Sequence, residues 1–193
     1  GRSTTLKAII GEVSPSGTIH FKGEDIAGRK SHVIARMGIG YVPEDMGIFT
    51  DLTVEENMHL AAASGPPDQA RLDWLFSVFP PLKTFWRTSA GNLSGGQKQM
   101  LSVARAIIEP RDLILIDEPT KGLAPAIVDA MAEAFREISD TTTILLVEQN
   151  FEFAKSLGRD MAVIDDGRIA HAGSMADFVA DRALQDRLLS LSV

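Results

Sequence analysis

Two uninterrupted apolar runs in the second half of the chain, LILID at 113–117 and TILLV opening 143–149, limit the fold more than any other feature. Runs without alternation suit strands covered on both faces, the habit of parallel sheets. Between them AIVDAMAEAFREI sets Ile127, Met131, Phe135 and Ile138 at helical spacing. Strand, helix and strand in this order imply a right-handed crossover, so the pattern predicts a mostly parallel α/β core. A chain of 193 residues is long enough for one well-buried domain with a small subdomain.

Elsewhere the signals are local. GTIHFKGEDI alternates around Ile19 and Phe21 and reaches Lys22-Gly23, which predicts an exposed edge strand or hairpin. IGYVPED is a short strand running into a loop at Pro43. Over 54–63 the apolar positions Val54, Met58 and Leu60/Ala61 suit a helix, with Thr53 and Glu56 as a capping box. ARLDWLFSVFP places Leu72, Leu75, Phe76 and Phe79 on one helical face. GGQKQMLSVARAIIEP spaces Met100, Val103/Ala104 and Ile107/Ile108 as a helix that stops at Pro110. MAVIDDGRIAHAG is a strand, an Asp166-Gly167 turn and a second strand; two short helical stretches end the chain. The helix-rich middle, 50–104, is expected to be a subdomain inserted into a single domain spanning 1–193.

Composition excludes some chemistry. There is no cysteine, so disulfides, thiolate metal sites and cysteine nucleophiles are out. A net charge of −7 argues against bulk nucleic acid as the main partner, yet leaves room for a nucleotide in a local positive pocket. No apolar run approaches the ~20 residues that span a bilayer, so work at a membrane would mean holding on to something embedded there. His20, His32, His59 and His171 have no ligand spacing and are expected at the surface or in packing; Tyr41 is expected in the core.

Three stretches carry chemistry. In NLSGGQKQML, Ser94 can cap the helix that follows, while Gly95 and Gly96 let backbone approach an anion without a Cβ in the way. A helix N-terminus offers that anion free N–H groups; a plain capped helix after a glycine turn is an equally good reading. In LILIDEPTKGLAP the strand ends in Asp117 and Glu118, at the sheet edge where α/β proteins bind ligands. One hard carboxylate there suits Mg²⁺ and a second can deprotonate a water, although two acids after a strand also begin ordinary loops. At the start, Gly1, Arg2 and Ser3 fit the last three positions of the phosphate-binding pattern G-x-x-x-x-G-K-[ST], with Thr4 onward as a helix.

Taken together, these strings resemble the ATP-binding-cassette (ABC) ATPases over nearly the whole chain. LSGGQ resembles their signature motif, LILIDE a Walker B segment and GRSTTL the end of a Walker A loop. YVPEDMGIFTDLTVEEN resembles the loop that touches the membrane partner, and VEQN falls where the family has its switch histidine. The resemblance implies a P-loop NTPase-like fold and hydrolysis of ATP with Mg²⁺. It implies phosphate binding by Gly1, Arg2, Ser3 and Thr4, metal binding by Ser3, Glu44 and Asp117, and catalysis by Glu118 with Gln149. It also implies that Leu93, Ser94, Gly95, Gly96 and Gln97 complete a partner's ATP site in trans. The partners implied are a second ABC ATPase subunit, identical or not, two integral-membrane permease subunits and, indirectly, a periplasmic solute-binding protein. The implied location is peripheral, on the cytoplasmic face of the cell membrane. In that family a β-subdomain, an adenine-stacking aromatic and the first P-loop glycines precede the position of Gly1. The chain is therefore expected to be an incomplete cassette that binds ATP weakly and leaves LILID and its neighbours with unpaired edges.

Departures narrow the resemblance. Glu44 stands where most members have Gln, Pro125 where they have Asp, and Gln149 where they have His. These resemble the second ATPase subunit of branched-chain amino-acid importers, the LivF type, with urea and amide importers as near neighbours. Gln149 can donate a hydrogen bond but cannot become cationic. Arg2 keeps the charge of the usual Lys while exchanging a compact ammonium for a planar fork, which need not fit the narrow loop; simple drift in a weakened site is the lesser alternative. Two other readings stay open: a soluble ABC-type ATPase of DNA repair or translation, and a catalytically weak regulatory or structural subunit.

Overall fold

The computed structural model describes residues 1–63 and 65–189. In chain order the elements are α1 (Arg2–Ile9), β1 (His20–Phe21), β2 (Glu24–Asp25), α2 (Ser31–Arg36), β3 (Ile39–Val42), α3 (Val54–Ala61), α4 (Gln69–Val78) and α5 (Pro80–Thr84). A 3₁₀ turn (Ala90–Asn92) leads into α6 (Gly95–Ile107), β4 (Leu113–Asp117), α7 (Pro125–Ser139), β5 (Thr143–Val147) and α8 (Phe151–Leu157). The strands β6 (Asp160–Asp165) and β7 (Arg168–Ser174) and the helices α9 (Met175–Ala180) and α10 (Arg182–Leu189) follow. Strand β4 lies between β3 and β5 in a parallel sheet, with α7 as the crossover between β4 and β5. The parallel α/β core expected from the two apolar runs is therefore present.

Period-two alternation splits the core between the two faces of the sheet. Ile114 and Ile116 join Val42 in the larger cluster, with Met100, Leu101 and Val103 of α6 and Met131, Phe135 and Ile138 of α7. Leu115 and Ile39 join the smaller one, with Leu6 of α1, Ile10 and Ile34 of α2. The larger cluster also takes in Val54 and Met58 of α3, Leu75 of α4 and Leu82 of α5, so α6 connects the helix-rich middle to the sheet. Tyr41 packs against the smaller cluster, as expected of a core residue, with its hydroxyl buried and without a hydrogen-bond partner among the described residues.

Both hairpins form where the turns predicted them. His20 faces Asp25 across a turn in which Lys22 and Gly23 have φ of 50° and 82°. Asp166 and Gly167, at 43° and 74°, close β6 onto β7 in the same left-handed way, which matches the twist of a tight hairpin. The capping box at α3 is complete: Thr53 Oγ1 accepts from Glu56 N at 3.2 Å and Glu56 Oε2 accepts from Thr53 N at 2.7 Å. In α4, Leu75 and the adjoining Phe79 are buried, with Leu72 and Phe76 packed partly against the same cluster. His59 meets Trp86 edge-on and His171 lies against Phe178, both in packing roles.

Several expectations need correction. LILID is not left with a free edge, because β4 is paired along its length on both sides. The open strand is β5, which among the described residues pairs only with β4; Thr143 and Leu145 are exposed, so coverage on both faces holds for β4 and fails for β5. Leu60 is 62% exposed, because two positions beyond Met58 is about 200° around a helix. Three short helices, α2, α5 and α8, have no counterpart in the sequence pattern: at five to seven residues each is too short to establish a periodicity, and α5 begins on Pro80-Pro81, which suits a first helical turn.

The two signature glycines differ physically. A Cβ on Gly96 would lie 2.7 Å from Ile127 Cγ2 on α7, whereas one on Gly95 would meet nothing within 4 Å. Gly96→Ala is therefore expected to destabilise the protein by about 1–3 kcal/mol through overpacking, and Gly95→Ala to change stability by less than ~0.5 kcal/mol. Gly96→Ala should cost nothing further in an Ile127→Ala background. Chemical denaturation of the four variants checks this; equal losses for the two glycines would contradict it.

Candidate functional site

Residues far apart in sequence converge where the sheet ladder ends. Asp117 is opposite Val147, and one step further the backbone N–H of Glu118 still donates to Val147 O at 2.8 Å. Glu118 then takes a left-handed backbone, φ 47°, which turns its side chain out of the strand's alternation. For a residue other than glycine that conformation has to be held by its surroundings.

Those surroundings are polar and specific. Gln149 Nε2 donates to Glu118 Oε1 at 2.7 Å. Arg2 Nη2 lies 3.9 Å from the same oxygen, and Lys121 Nζ lies 3.8 Å from Oε2. Ser3 Oγ donates to Asp117 Oδ1 at 3.2 Å. The structure thus brings Arg2 and Ser3 at the start of α1 to the two acids at the end of β4, and Gln149 to Glu118. Gly1, the N-cap of α1, makes no side-chain cap, while Thr5 rather than Thr4 bonds back to Gly1 O. Glu44 meets this group only through Lys121, whose Nζ holds its Oε1 at 2.5 Å and keeps its carboxyl below the usual carboxylate range.

Four residues were missed: Thr120, Lys121, Glu148 and Asn150. With Glu118 and Gln149 they line a pocket of about 230 Å³. Glu148 is tied by four donors, Thr120 N at 3.0 Å and Thr120 Oγ1 at 2.6 Å on one oxygen, Gln149 N and Asn150 N at 3.0 Å each on the other. Its carboxylate thereby joins the loop after β4 to the loop after β5 and positions Gln149. The signal was available: LLVE ends an apolar strand in an acid just as LIDE does. Lys121 had no such signal, since its partner Glu44 is 77 positions away.

The 93–97 segment stands apart from this group. Ser94 and Gln97 form a second complete capping box, with Ser94 Oγ accepting from Gln97 N at 3.3 Å and Gln97 Oε1 accepting from Ser94 N at 2.9 Å. Leu93 is buried in the larger core cluster and Gly96 abuts Ile127, which leaves Ser94 and Gly95 exposed, with open space around the Gly95 Cα. Among the described residues, no hydrogen bond or ion pair links 93–97 to Ser3, Asp117 or Glu118.

Asp117 is 1% exposed and, among the described residues, its side chain accepts a hydrogen bond from Ser3 alone. Burial raises its pKa; the Ser3 hydrogen bond opposes this, and the Glu118 and Glu44 charges add to it. Such an underpaired buried carboxylate beside a hydroxyl fits Mg²⁺, which takes one or two protein oxygens and shares the rest of its shell with phosphate and water. Among the described residues there is no closed cage of three or more His, Cys, Asp or Glu.

A parallel sheet whose central strand delivers an Asp–Glu pair beside a helix start bearing Arg2 and Ser3 has the layout of a P-loop nucleoside triphosphatase. Residues 1–121 match the family model described as ABC transporter, and the chain belongs to that family. It is 35% identical to the high-affinity branched-chain amino acid transport ATP-binding protein BraG of Pseudomonas aeruginosa, over 98% of this chain and 83% of that one. It is also 35% identical to the probable branched-chain amino acid transport ATP-binding protein LivF of Archaeoglobus fulgidus, over 90% and 76%. The Nod factor export ATP-binding protein I of Burkholderia pseudomallei is 34% identical, over 87% of this chain and 56% of its own. In fold, the chain superposes in full on a nucleotide-free ATP-binding cassette from an ABC transporter, covering 83% of it with a TM-score of 0.78 at 20% identity. A bacterial Atm1-family ABC exporter with ATP bound gives a TM-score of 0.83 at 23% identity, with 35% of that chain covered.

Replacing Asp117 separates stability from function. Because its folded pKa is raised, the penalty of the buried charge is fully present above that pKa and is relieved as pH falls through it. Asp117→Asn keeps an acceptor for Ser3 and removes the charge. In metal-free buffer at neutral pH, it is expected to raise the melting temperature by about 2–4 °C, the equivalent of roughly 1 kcal/mol. The gain should shrink as pH is lowered; a lower melting temperature at neutral pH would show that the carboxylate is not strained.

Proposed function

We propose that the protein is the ATP-hydrolysing subunit of an importer for branched-chain amino acids. The observation that carries the catalytic part is the 2.7 Å hydrogen bond joining Glu118 to Gln149 across the ends of two paired strands. The solute class is supported by the names of two relatives aligned over 98% and 90% of the chain. No helix among the described residues is long and apolar enough to cross a membrane. Attachment is therefore proposed to be peripheral, on the cytoplasmic side, through two permease subunits and beside a second ATPase subunit, with a periplasmic binding protein delivering the solute.

The N–H groups at Gly1, Arg2, Ser3 and Thr4, with the Arg2 guanidinium, hold the phosphates. Ser3 and Asp117 would hold Mg²⁺, whose positive charge would offset that of the phosphates; Glu44 is assigned to that metal less directly, since its oxygen is engaged by Lys121. Glu118 Oε1 is anchored by Gln149, which leaves Oε2 as the freer atom to accept a proton from the attacking water. Gln149 cannot take up a proton, so its part is orientation. Residues 50–104 form the unit that presents Ser94, Gly95, Gly96 and Gln97 to the partner, with Gly95 providing the closest approach and Leu93 securing the segment from below.

Glu118→Gln is expected to lower steady-state phosphate release by at least ~100-fold, the usual weight of a general base, while ATP affinity is kept and the ATP-bound dimer lives longer. Turnover within a few-fold of the parent would remove Glu118 from the role. Gly95→Asp is expected to leave ATP binding by the monomer unchanged and to block ATP-driven dimerisation, read by sedimentation in a Glu118→Gln background. A carboxylate there would face the partner's γ-phosphate; loss of monomer affinity would mean that the loop serves its own subunit.

A further inference from the structure

The ion pair between Glu44 and Lys121 joins the loop after β3 to the loop after β4 at 2.5 Å. Both side chains are well exposed, 43% and 64%, and exposed pairs contribute little to stability. Its interest lies in its position. Lys121 also stands 3.8 Å from Glu118 and lines the pocket beneath it. The same edge carries Asp117 and Glu148, but Glu148 is satisfied by four donors, and Asp117 is buried with one hydrogen bond, from Ser3. Glu44 has no such hydrogen bonds from neighbouring N–H groups or hydroxyls among those described; its partner is the Lys121 ammonium. An unpaired carboxylate here would repel an incoming triphosphate, and a flexible Glu side chain would be free to turn toward it.

We propose that Lys121 is the counter-charge that lets this site carry a glutamate at position 44: it holds the Glu44 carboxylate away from the phosphates and thereby sets ATP affinity. Lys121 is a positioning residue, acting through Glu44 rather than on the reacting atoms. The inference rests on the ATP site assigned under Proposed function.

The test is ATP affinity, measured in EDTA and again with Mg²⁺, for the intact protein and for Lys121→Gln, Lys121→Arg, Glu44→Gln and Lys121→Gln/Glu44→Gln. Lys121→Gln is expected to weaken ATP binding about three- to tenfold when Glu44 is present and less than about twofold when Gln replaces it, in both buffers. Lys121→Arg should restore most of the affinity, and every melting temperature should stay within ~2 °C of the parent, as for other exposed pairs. Equal losses in the two backgrounds would overturn the inference, as would affinity falling in step with melting temperature. Failure of the parent to bind ATP would instead overturn the site assignment, and the inference with it. Binding that behaves as expected while Glu118→Gln still turns over would leave the role of Lys121 standing and displace only the base.

Discussion

Pairing of β4 on both edges is the constraint on which the site depends. Its backbone groups are consumed by β3 and β5, and Ile114, Leu115 and Ile116 are fully buried, so the strand has one available position. The ladder ends at Asp117, and the two carboxylates therefore emerge at a defined height above the sheet. Glu118 makes one more backbone bond and then turns left-handed. A conformation costing of order 1–3 kcal/mol persists only where neighbours over-determine it, and here Gln149, Arg2 and Lys121 converge on the same side chain.

The second level of control is the Glu148 carboxylate. With acceptor capacity for about four hydrogen bonds, it receives four, two from Thr120 and two from the backbone of Gln149 and Asn150. Neither loop can move without breaking bonds to a charged acceptor, each worth more than a neutral one. Gln149 is thus presented to Glu118 by its own backbone, with the side chain free to reach 2.7 Å. The loop following β3 is held in a similar manner further out: Asn57, fully buried, accepts from Phe49 N and donates to Phe49 O and Thr53 O.

How much of this was legible in the sequence follows from the range of each interaction. The apolar runs of β4 and β5, the amphipathic α6 and α7, both hairpin turns and the α3 capping box are set by spacings of a few residues, and all were readable. Asp117 and Glu118 could be singled out because LILIDE follows LSGGQ by about 20 residues and resembles a Walker B segment; two acids after a strand would otherwise read as the start of an ordinary loop. The Glu44–Lys121 pair, the Glu148 clamp and the Ile127 wall behind Gly96 each join segments from different parts of the chain. Their partners are chosen by the fold, and no local pattern announces them. Leu60 shows the converse error, an apolar residue counted into a face that geometry turns outward.

The charges left at the site define what its chemistry has to work with. A histidine at position 149 would titrate between about pH 5 and 8 and could carry a proton; Gln149 has no such state, so Glu118 is oriented by a neutral donor. That removes one positive charge which would have faced the phosphates, while Glu44 adds a negative one at a position that resembles a neutral site elsewhere in the family. Arg2 at 3.9 Å from Glu118 and Lys121 at 2.5 Å from Glu44 are placed against those two carboxylates. Under the phosphate site proposed above, the cation at the start of α1 would be shared between Glu118 and the nucleotide. Competition for Arg2 would free Glu118 from one of its partners and leave the carboxylate to Gln149 and Lys121.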